Sequence, residues 1–378
     1  MTEKVRNLYA SICFETNFGN VGVNMSEQPR AKKYLQIFDQ ISSDIKNGRL
    51  KTGEKLPTEK ELCEQFSSSR ETVRKALREL ESAAVIEKIQ GSGSYVKGQA
   101  GAKPTATHNM AVITTYINTH IFPSILRGIE NVATQSGYTI FLKATNNSVA
   151  SERAILSSIA PLMIDGIIVE GTKTTFYNPN LDFYRNYLDA NIPIVFINGY
   201  YPDLFSQNEQ RDKIAYVVAD DYNGGYRLVS ELVRQGHKKI GAIFKSDDIQ
   251  GQRRYSGYID AMMHYDVGFL DENVVWFNTE TKLCVCEKLI SRDWLGGLDA
   301  VICYNDEIAA QLLELMRSSN QTDIAVRSFD GIYPEKFSGY DFKSLLHPKE
   351  ELGVTAVREL ISMMQGGPGK EIVLPWNT

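Results

Sequence analysis

Four polar side chains share the first turn of a helix predicted over 70–83, on the face opposite its apolar residues: Ser69, Arg70, Thr72 and Arg74. Arginine forms paired hydrogen bonds with guanine O6 and N7 or with phosphate. In helix-turn-helix proteins, residues at this position meet base edges in the major groove. The alternative is a solvated helix face whose arginines pair with Glu71 and Glu79. Because the helix lies between a capped turn and a Gly-rich hairpin, we favour DNA contact.

A second group of polar and aromatic side chains follows the apolar segments of the remaining chain: Tyr116, Phe122, Asn147, Glu170, Asn198, Asn305 and Asp330. Carboxylates and amides offer paired hydrogen bonds to hydroxyl groups, and aromatic faces cover C–H surface, so this mixture suits a polyol. Asn and Asp are also ordinary turn formers and helix caps. We expect that role for Asp306, and for Asp220 and Asp221 before the next helix. Arg254 differs, because its predicted helix faces the same edge, where it would pair with Asp330 and a ligand hydroxyl.

The sequence contains no arrangement typical of an enzyme or a metal site. A Ser-His-Asp order, an HExxH motif, a P-loop and a GxGxxG after a strand are all missing. The five histidines show no ligand spacing, and Cys284 and Cys286 lack both a CxxC spacing and a second pair. We therefore expect no catalytic residues, no metal and no cofactor, and we interpret Cys303 as a buried structural thiol.

The elements that position the first group form a compact N-terminal arrangement. An amphipathic helix is predicted over 34–47, with Gly48 as its stop, followed by an extended connector over 50–57. Thr58 and Glu61 form a capping box that opens a short helix ending at Phe66. Ser69 then caps the third helix, and two short strands around a Gly-rich turn over 90–94 follow it. Three helices followed by a hairpin predict a winged helix-turn-helix.

Beyond residue 108, short apolar segments alternate with helical patterns. The apolar segments are 110–113, 139–142, 166–169, 194–197, 215–218, 240–244, 274–277, 300–303 and 324–328, and the helical patterns are 123–136, 152–162, 222–235, 252–264 and 306–317. This alternation predicts an α/β fold of doubly wound parallel sheets covered on both faces. Ligands of such folds bind at the carboxyl ends of the strands, at the topological switch point.

Charge and composition divide the chain in the same way. The 378 residues carry a net charge of −5, but 27–97 carry +3 and 99–378 carry −8, as expected for a DNA-binding head on an acidic body. We predict a disordered extension over 1–28, the head over 29–97, a linker over 98–108 and the body over 109–378. No apolar segment is long enough to span a membrane, no secretory signal opens the chain, and the uneven cysteines fit reduced thiols, so we expect a cytoplasmic protein.

The head resembles the DNA-binding domain of the GntR family over roughly 65 residues. Three blocks match in order: 53–62, 69–77 and 91–96. The resemblance implies DNA contacts from Lys33, Tyr34, Lys60, Ser69, Arg70, Thr72 and Arg74, with Gln90 and Gly91 at the wing tip near the minor groove. Two positions depart from the family pattern: Ala84 replaces the usual Gly after the recognition helix, and Ser67-Ser68 replaces Gly-Val. Neither removes a DNA-contacting side chain.

The body resembles the LacI-type effector domain, which is related to periplasmic sugar-binding proteins and has two lobes. A GntR head on such a body is the composite of the arabinose repressors of Gram-positive bacteria, and the local match extends over 114–117, 121–125, 145–147, 164–170, 243–251, 303–309 and 347–349. The resemblance implies sugar contacts from Arg254, Asn305 and Asp330, and ligand-facing positions at Glu170, Asn198 and His347 with different side chains. Residues 328–331 depart from the family pattern, because they keep only one of its two acidic residues. Residues 373–378 also depart from it, because the sequence stops short of the family's closing strand, which leaves the last strand in doubt.

These resemblances imply a homodimeric repressor that binds operator DNA and is released by a sugar, L-arabinose. Another pentose or hexose remains open as the effector. A sugar-binding transport component is disfavoured by the head, and an enzyme is disfavoured by the missing motifs.

Overall fold

In this computed structural model, the described residues are 33–46, 48–51, 53–82, 85–89, 92–96, 106–119, 121–206, 210–285, 289, 294–319, 323–332 and 339–377. The chain divides into two compact units, Met1–Ala100 and Gly101–Thr378. The boundary between them falls inside the predicted linker over 98–108. The predicted extension over 1–28, Ala84 and the wing-tip residues Gln90 and Gly91 lie outside the described residues.

The first unit contains three helices in its described part: α1 (Lys33–Lys46), α2 (Glu59–Gln65) and α3 (Arg70–Ser82). Their shared core contains apolar residues at helical spacing, among them Phe38, Leu62 and Val73, which are buried. The predicted capping box is confirmed: the Thr58 side chain accepts a hydrogen bond from Glu61 N at 3.3 Å, and the Glu61 carboxylate accepts one from Thr58 N at 2.7 Å. Thr58 therefore fixes the start of α2, as a capping box requires.

A hairpin of β1 (Ile86–Ile89) and β2 (Gly93–Val96) follows α3, and its strands pair antiparallel. The connector before α2 joins this hairpin. Leu56 N donates to Ser94 O at 2.8 Å, and Val96 N donates to Glu54 O at 2.9 Å. The connector thus satisfies backbone groups along the free edge of β2, which an isolated hairpin would leave open.

The second unit contains two parallel sheets. The six-stranded sheet has the order β13-β7-β6-β5-β3-β4. Its strands are β3 (Asn109–Thr114), β4 (Thr139–Ala144), β5 (Gly166–Val169), β6 (Ile194–Ile197), β7 (Ile214–Ala219) and β13 (Glu371–Leu374). The helices of this lobe are α4 (Phe122–Gln135), α5 (Val149–Ser158), α6 (Leu181–Asp189), α7 (Pro202–Ser206) and α11 (Lys349–Met364).

The five-stranded sheet has the order β12-β11-β10-β8-β9. Its strands are β8 (Ile240–Lys245), β9 (Val274–Phe277), β10 (Ala300–Cys303), β11 (Ala325–Asp330) and β12 (Phe342–Leu346). The helices are α8 (Asp221–Arg234), α9 (Ile249–His264) and α10 (Asp306–Ser318). All strand pairs in both large sheets are parallel, and the central strands are buried along their whole length because helices cover both faces.

The chain passes between the two lobes at three places. Ala219 ends β7 in the six-stranded sheet and Asp221 begins α8 in the other lobe. Leu346 ends β12 and Lys349 begins α11, and Leu374 in β13 is followed by Asn377, which bridges back to Leu346. These three crossing segments lie side by side and form the connection between the lobes.

The predicted α/β architecture and its nine apolar strands are confirmed, with bounds that shift by at most two residues at either end. The alternation did not reveal α6, α7, β12 and α11. The last strand, left in doubt from the sequence, is present as β13 and pairs with β7. Its apolar run, Ile372–Leu374, is only three residues long, so periodicity alone could not separate it from a loop.

Candidate functional site

The first turn of α3 presents the predicted DNA-contacting residues at the surface of the head. Ser69 and Arg70 are exposed, and so is Arg74. The Ser69 hydroxyl lies 2.8 Å from the Thr72 hydroxyl and accepts a hydrogen bond from Thr72 N at 3.3 Å, so Ser69 caps the helix as predicted. Val73 is buried on the opposite face, which leaves the polar turn free to meet a duplex.

Glu59 in α2 is the acidic partner of both arginines. Its Oε2 atom lies 2.9 Å from Arg74 Nε and 3.6 Å from Arg70 Nε. The alternative pairing with Glu71 and Glu79 is therefore wrong, since the contact joins two helices instead of two turns of α3. Exposed pairs of this kind contribute little to stability, but Glu59 fixes how the two guanidinium groups are presented.

The other predicted DNA contacts surround the same helices. Lys60 is exposed, and Lys33 donates from Nζ to Ser67 O at 2.6 Å, which ties the start of α1 to the turn before α3. The Nζ of Lys75 lies 4.2 Å from the centre of the Tyr34 ring. Six cationic or hydroxyl side chains of the head thus have defined positions, and their roles at DNA stay predictions.

A cavity of about 100 Å³ lies between the two lobes of the second unit, at the carboxyl ends of their strands. All nine residues predicted to bind an effector line it: Tyr116, Phe122, Asn147, Glu170, Asn198, Arg254, Asn305, Asp330 and His347. Asn147, Asn198 and Asp330 each have a positive φ, at 53°, 55° and 98°. Such backbone geometry is costly for residues other than glycine and concentrates at functional sites.

Glu170 forms the acidic wall of the six-stranded lobe. Its carboxylate accepts hydrogen bonds from Thr115 N at 3.0 Å, from the Thr115 hydroxyl and from Asn198 Nδ2 at 3.0 Å. Burial raises the pKa of Glu170, and the hydrogen bonds from Thr115 oppose that rise. Because Asn198 Nδ2 is held by Glu170, its Oδ1 is left as a buried acceptor with no hydrogen-bond partner among the described residues.

Arg254 of α9 supplies the cationic wall on the other side. Its Nε donates to Asp221 Oδ1 at 2.8 Å and its Nη1 to Tyr304 O, and both side chains of the ion pair are buried. Arg254 thus pairs with Asp221, which is not the helix cap expected, and its direct pairing with Asp330 stays a prediction. Asp330 contributes a nearby negative charge. The cap of α8 is Asp220, whose Oδ1 accepts from Asn223 N at 3.2 Å.

Asn305 takes the capping role that was expected for Asp306. Asn305 Oδ1 accepts a hydrogen bond from Ile308 N at 3.1 Å and caps α10. Asp306 instead accepts from Ile332 N and from the Ser344 hydroxyl, both at 2.6 Å. Asp306 thereby joins the segment after β11 to strand β12, while Asn305 lines the cavity from the helix start.

Several cavity residues escaped sequence reasoning, among them Lys245, Asp248 and Tyr304. Lys245 Nζ lies 2.9 Å from Asp248 Oδ2, which also accepts from the Tyr304 hydroxyl at 2.7 Å. Burial alone would lower the pKa of Lys245, but the carboxylates of Asp248 and Asp247 outweigh burial and raise it. The signal was available, since Lys245 directly follows a predicted strand, but a lysine beside two acids is typical of a solvated turn.

The two lobes also touch across the mouth of the cavity. Asn147 Nδ2 donates to the Thr279 hydroxyl at 2.6 Å, and Ile249 N donates to the Thr174 hydroxyl at 2.9 Å. His347 lies on the opposite side of the cavity, in the crossing segment between β12 and α11. Burial, followed by the charges of Arg254 and Lys349, lowers its pKa to about 3, so its imidazole is neutral near pH 7.

The cavity therefore combines buried acceptors, one paired guanidinium group, the paired ammonium groups of Lys245 and Lys282, and two aromatic rings. The rings are those of Tyr116 and Phe122, which meet edge to face at 5.8 Å. This is a site for a small neutral polar molecule rich in hydroxyl groups. Within the described ranges, no cluster of three or more His, Cys, Asp or Glu side chains could hold a metal ion. No described helix is long and apolar enough to cross a membrane.

Two known sequence families match the two units. The family described as "Bacterial regulatory proteins, gntR family" matches residues 33–96. The "Periplasmic binding protein-like domain" family matches residues 229–375. The first covers the winged helix-turn-helix and the second covers the five-stranded lobe together with α11 and β13.

Relatives match along nearly the whole chain. The arabinose metabolism transcriptional repressor of Geobacillus stearothermophilus is 36% identical over 340 residues, which are 88% of this chain and 91% of that protein. The one of Halalkalibacterium halodurans is 32% identical over 343 residues, 88% of this chain and 89% of that protein. The chain belongs to this family of transcriptional repressors. It is a sugar-responsive repressor that binds operator DNA.

A solved structure shows the same fold. The transcriptional regulator CelR in complex with cellobiose matches this repressor with a TM-score of 0.62 at 20% identity, covering 82% of this chain and 88% of that one. Both curated relatives are transcriptional repressors.

Proposed function

We propose that this repressor controls genes of arabinose utilisation and leaves its operator when L-arabinose occupies the cavity between the lobes. The observation that carries the proposal is the convergence of all nine predicted ligand-facing residues on one buried polar cavity in a chain whose relatives repress arabinose metabolism. Glu170, Asn198 and Asp330 would accept hydrogen bonds from sugar hydroxyls and Arg254 would donate one. Tyr116 and Phe122 would cover the C–H face of the ring.

The head would bind DNA through the first turn of α3. Arg70 and Arg74 would contact base edges or phosphates, Ser69 and Thr72 would contact the backbone, and Lys60 would contact a phosphate. Two copies would bind paired half-sites, because operators of such heads mirror a two-fold axis of the protein. Sugar would act by binding a lobe arrangement that the DNA-bound dimer disfavours, since only a difference in affinity shifts such an equilibrium.

The test begins with a duplex selected from a random pool by the protein itself. We expect millimolar L-arabinose to release this duplex in a fluorescence-anisotropy titration, and D-glucose to leave it bound. Release by D-xylose or D-ribose without release by L-arabinose would replace arabinose by another pentose. Indifference to every sugar tried would refute the sugar response itself.

We also infer that the protein acts by binding and does not turn its ligand over. The relatives that match along nearly the whole chain are transcriptional repressors, and two ionisable groups of the cavity are already held, Lys245 in an ion pair with Asp248 and His347 buried beside a cation. Nuclear magnetic resonance of L-arabinose incubated with the protein should show the unchanged sugar. A new product would refute this inference.

A further inference from the structure

Trp376 lies next to the effector cavity and none of the chemistry above uses it. Its side chain is 4% exposed, although the residue follows the last strand near the end of the chain. It is held in place by its own backbone: Trp376 O accepts from Arg227 Nη1 at 3.0 Å, and the neighbouring Asn377 bridges to Leu346. The ring therefore occupies a defined position on the third crossing segment.

The indole ring contacts the guanidinium group of Arg254. Arg254 Cζ lies 5.1 Å from the centre of the Trp376 ring, 4.2 Å from the Phe329 ring and 4.7 Å from the Tyr304 ring. The Trp376 and Phe329 rings meet edge to face at 5.0 Å. Three aromatic rings thus surround one buried cation, and an aromatic face attracts a cation most strongly where water is excluded.

Residues from all three crossing segments surround Arg254. Asp221 on the first segment accepts from Nε at 2.8 Å. His347 on the second meets the Trp376 ring edge to face at 5.1 Å, and Trp376 itself is on the third. Two of the three guanidinium nitrogens are fixed by hydrogen bonds, Nε to Asp221 Oδ1 and Nη1 to Tyr304 O, and Arg254 lines the effector cavity.

The approach of the ring to Arg254 also depends on a glycine. A Cβ atom at Gly224 would lie 2.8 Å from Phe329 Cε1 and 3.0 Å from Trp376 Nε1. Any larger residue there would push both rings away from the guanidinium group. Trp376 Nε1 has no hydrogen-bond partner among the described residues. The indole ring is therefore positioned by packing against neighbouring side chains.

We propose that Trp376 is a positioning residue of the effector site, which holds the Arg254 guanidinium group in the plane from which it can donate to a sugar hydroxyl. The inference rests on the proposed function, because it requires Arg254 to bind the sugar. It assigns the third crossing segment a part in recognising the effector as well as in joining the lobes. The ring face carries the effect, so phenylalanine should replace tryptophan and leucine should not.

The test measures L-arabinose affinity of the full-length protein by isothermal titration calorimetry for Trp376→Leu and Trp376→Phe. We expect Trp376→Leu to weaken the sugar about tenfold, within the range of a desolvated cation–π contact, and Trp376→Phe to weaken it less than about threefold. Equal losses in the two variants would overturn the proposal, because they would assign the effect to the indole N–H.

Trp294 supplies the matched control. It is a buried tryptophan of the same lobe whose Nε1 donates to Glu272 O at 3.0 Å, and it does not line the cavity. Trp294→Leu should lower the unfolding midpoint and leave sugar affinity unchanged. If Trp294→Leu weakens the sugar as much as Trp376→Leu does, general loosening of the lobe explains both and the proposal is wrong.

A second readout uses the tryptophan itself. In the Trp276→Phe, Trp294→Phe protein, the emission of Trp376 should change with L-arabinose at the concentrations that calorimetry gives for binding. Binding without any change in emission would overturn the proposal. Failure of the unmodified protein to bind L-arabinose or any other pentose would instead refute the proposed function, so the two failures are distinguishable.

Discussion

Acid should destabilise the effector unit through His347. This imidazole is buried beside Arg254 and Lys349, and its pKa is lowered to about 3 from an ordinary value of 6.5. Because the folded protein binds the proton less tightly than the unfolded chain, His347 costs nothing above pH 6.5 and costs stability as the pH falls below it. At pH 5 the loss is about 2 kcal/mol, from 1.36 kcal/mol for each unit between 6.5 and 5.

The His347→Gln protein removes the titrating group and keeps a polar side chain of similar length. Its free energy of unfolding should therefore fall by about 2 kcal/mol less than that of the unmodified protein between pH 7 and pH 5. Asp221, whose pKa burial raises to about 6, has the opposite dependence, with its stabilisation present at low pH and lost as the pH rises through 6. Asp221 is present in both proteins, so its contribution to the free energy of unfolding cancels to first order when the two pH dependences are subtracted.

Urea unfolding followed by tryptophan emission measures this quantity, because Trp276, Trp294 and Trp376 all belong to the second unit. The exposed His264 provides the control, since His264→Gln should leave the pH dependence of the unmodified protein in place. Parallel pH dependences in His347→Gln and the unmodified protein would refute the reasoning that the buried imidazole stays neutral.

Three further predictions concern other parts of the chain. Gly257→Ala should destabilise the effector unit by about 1–3 kcal/mol in urea unfolding, because the new Cβ would lie 1.9 Å from Tyr222 O where α8 and α9 cross. This overpacking outweighs the ~1 kcal/mol that alanine gains over glycine in helix propensity. A more stable variant would contradict this packing. Arg70→Ala should cost about 1–3 kcal/mol of affinity for the selected duplex and relax specificity at one base pair. Lys60→Ala should instead lower the slope of log affinity against log salt by about 1 and leave the sequence preference unchanged. The reverse pattern would exchange the roles of the two residues. Thr58→Ala should lower the stability of the head by about 1 kcal/mol, because it removes the hydroxyl that accepts a hydrogen bond from Glu61 N. Hydrogen exchange of the α2 amides measures this loss. Unchanged exchange would show that the cap contributes nothing to stability.

The sequence by itself determined the local elements and the residue types of both sites. Caps such as Thr58 and Ser69 depend on neighbours within three positions, so the start of each head helix could be predicted from the order of residues. The rule that ligands bind at the carboxyl ends of parallel strands was enough to select seven of the nine predicted residues that line the cavity, among them Glu170 and Asn198, whereas His347 came only from the family resemblance.

Only the tertiary structure decided which side chains pair. Sequence reasoning named Asp330 as the partner of Arg254 and did not reveal the ion pair with Asp221, which depends on how α8 and α9 cross. Glu59 reaches both arginines of α3 because the two helices pack face to face, which no spacing along the chain reveals. Trp376 joins the site only because β13 crosses back between the lobes. Contacts between residues far apart in sequence follow from packing, and packing is a property of the whole fold.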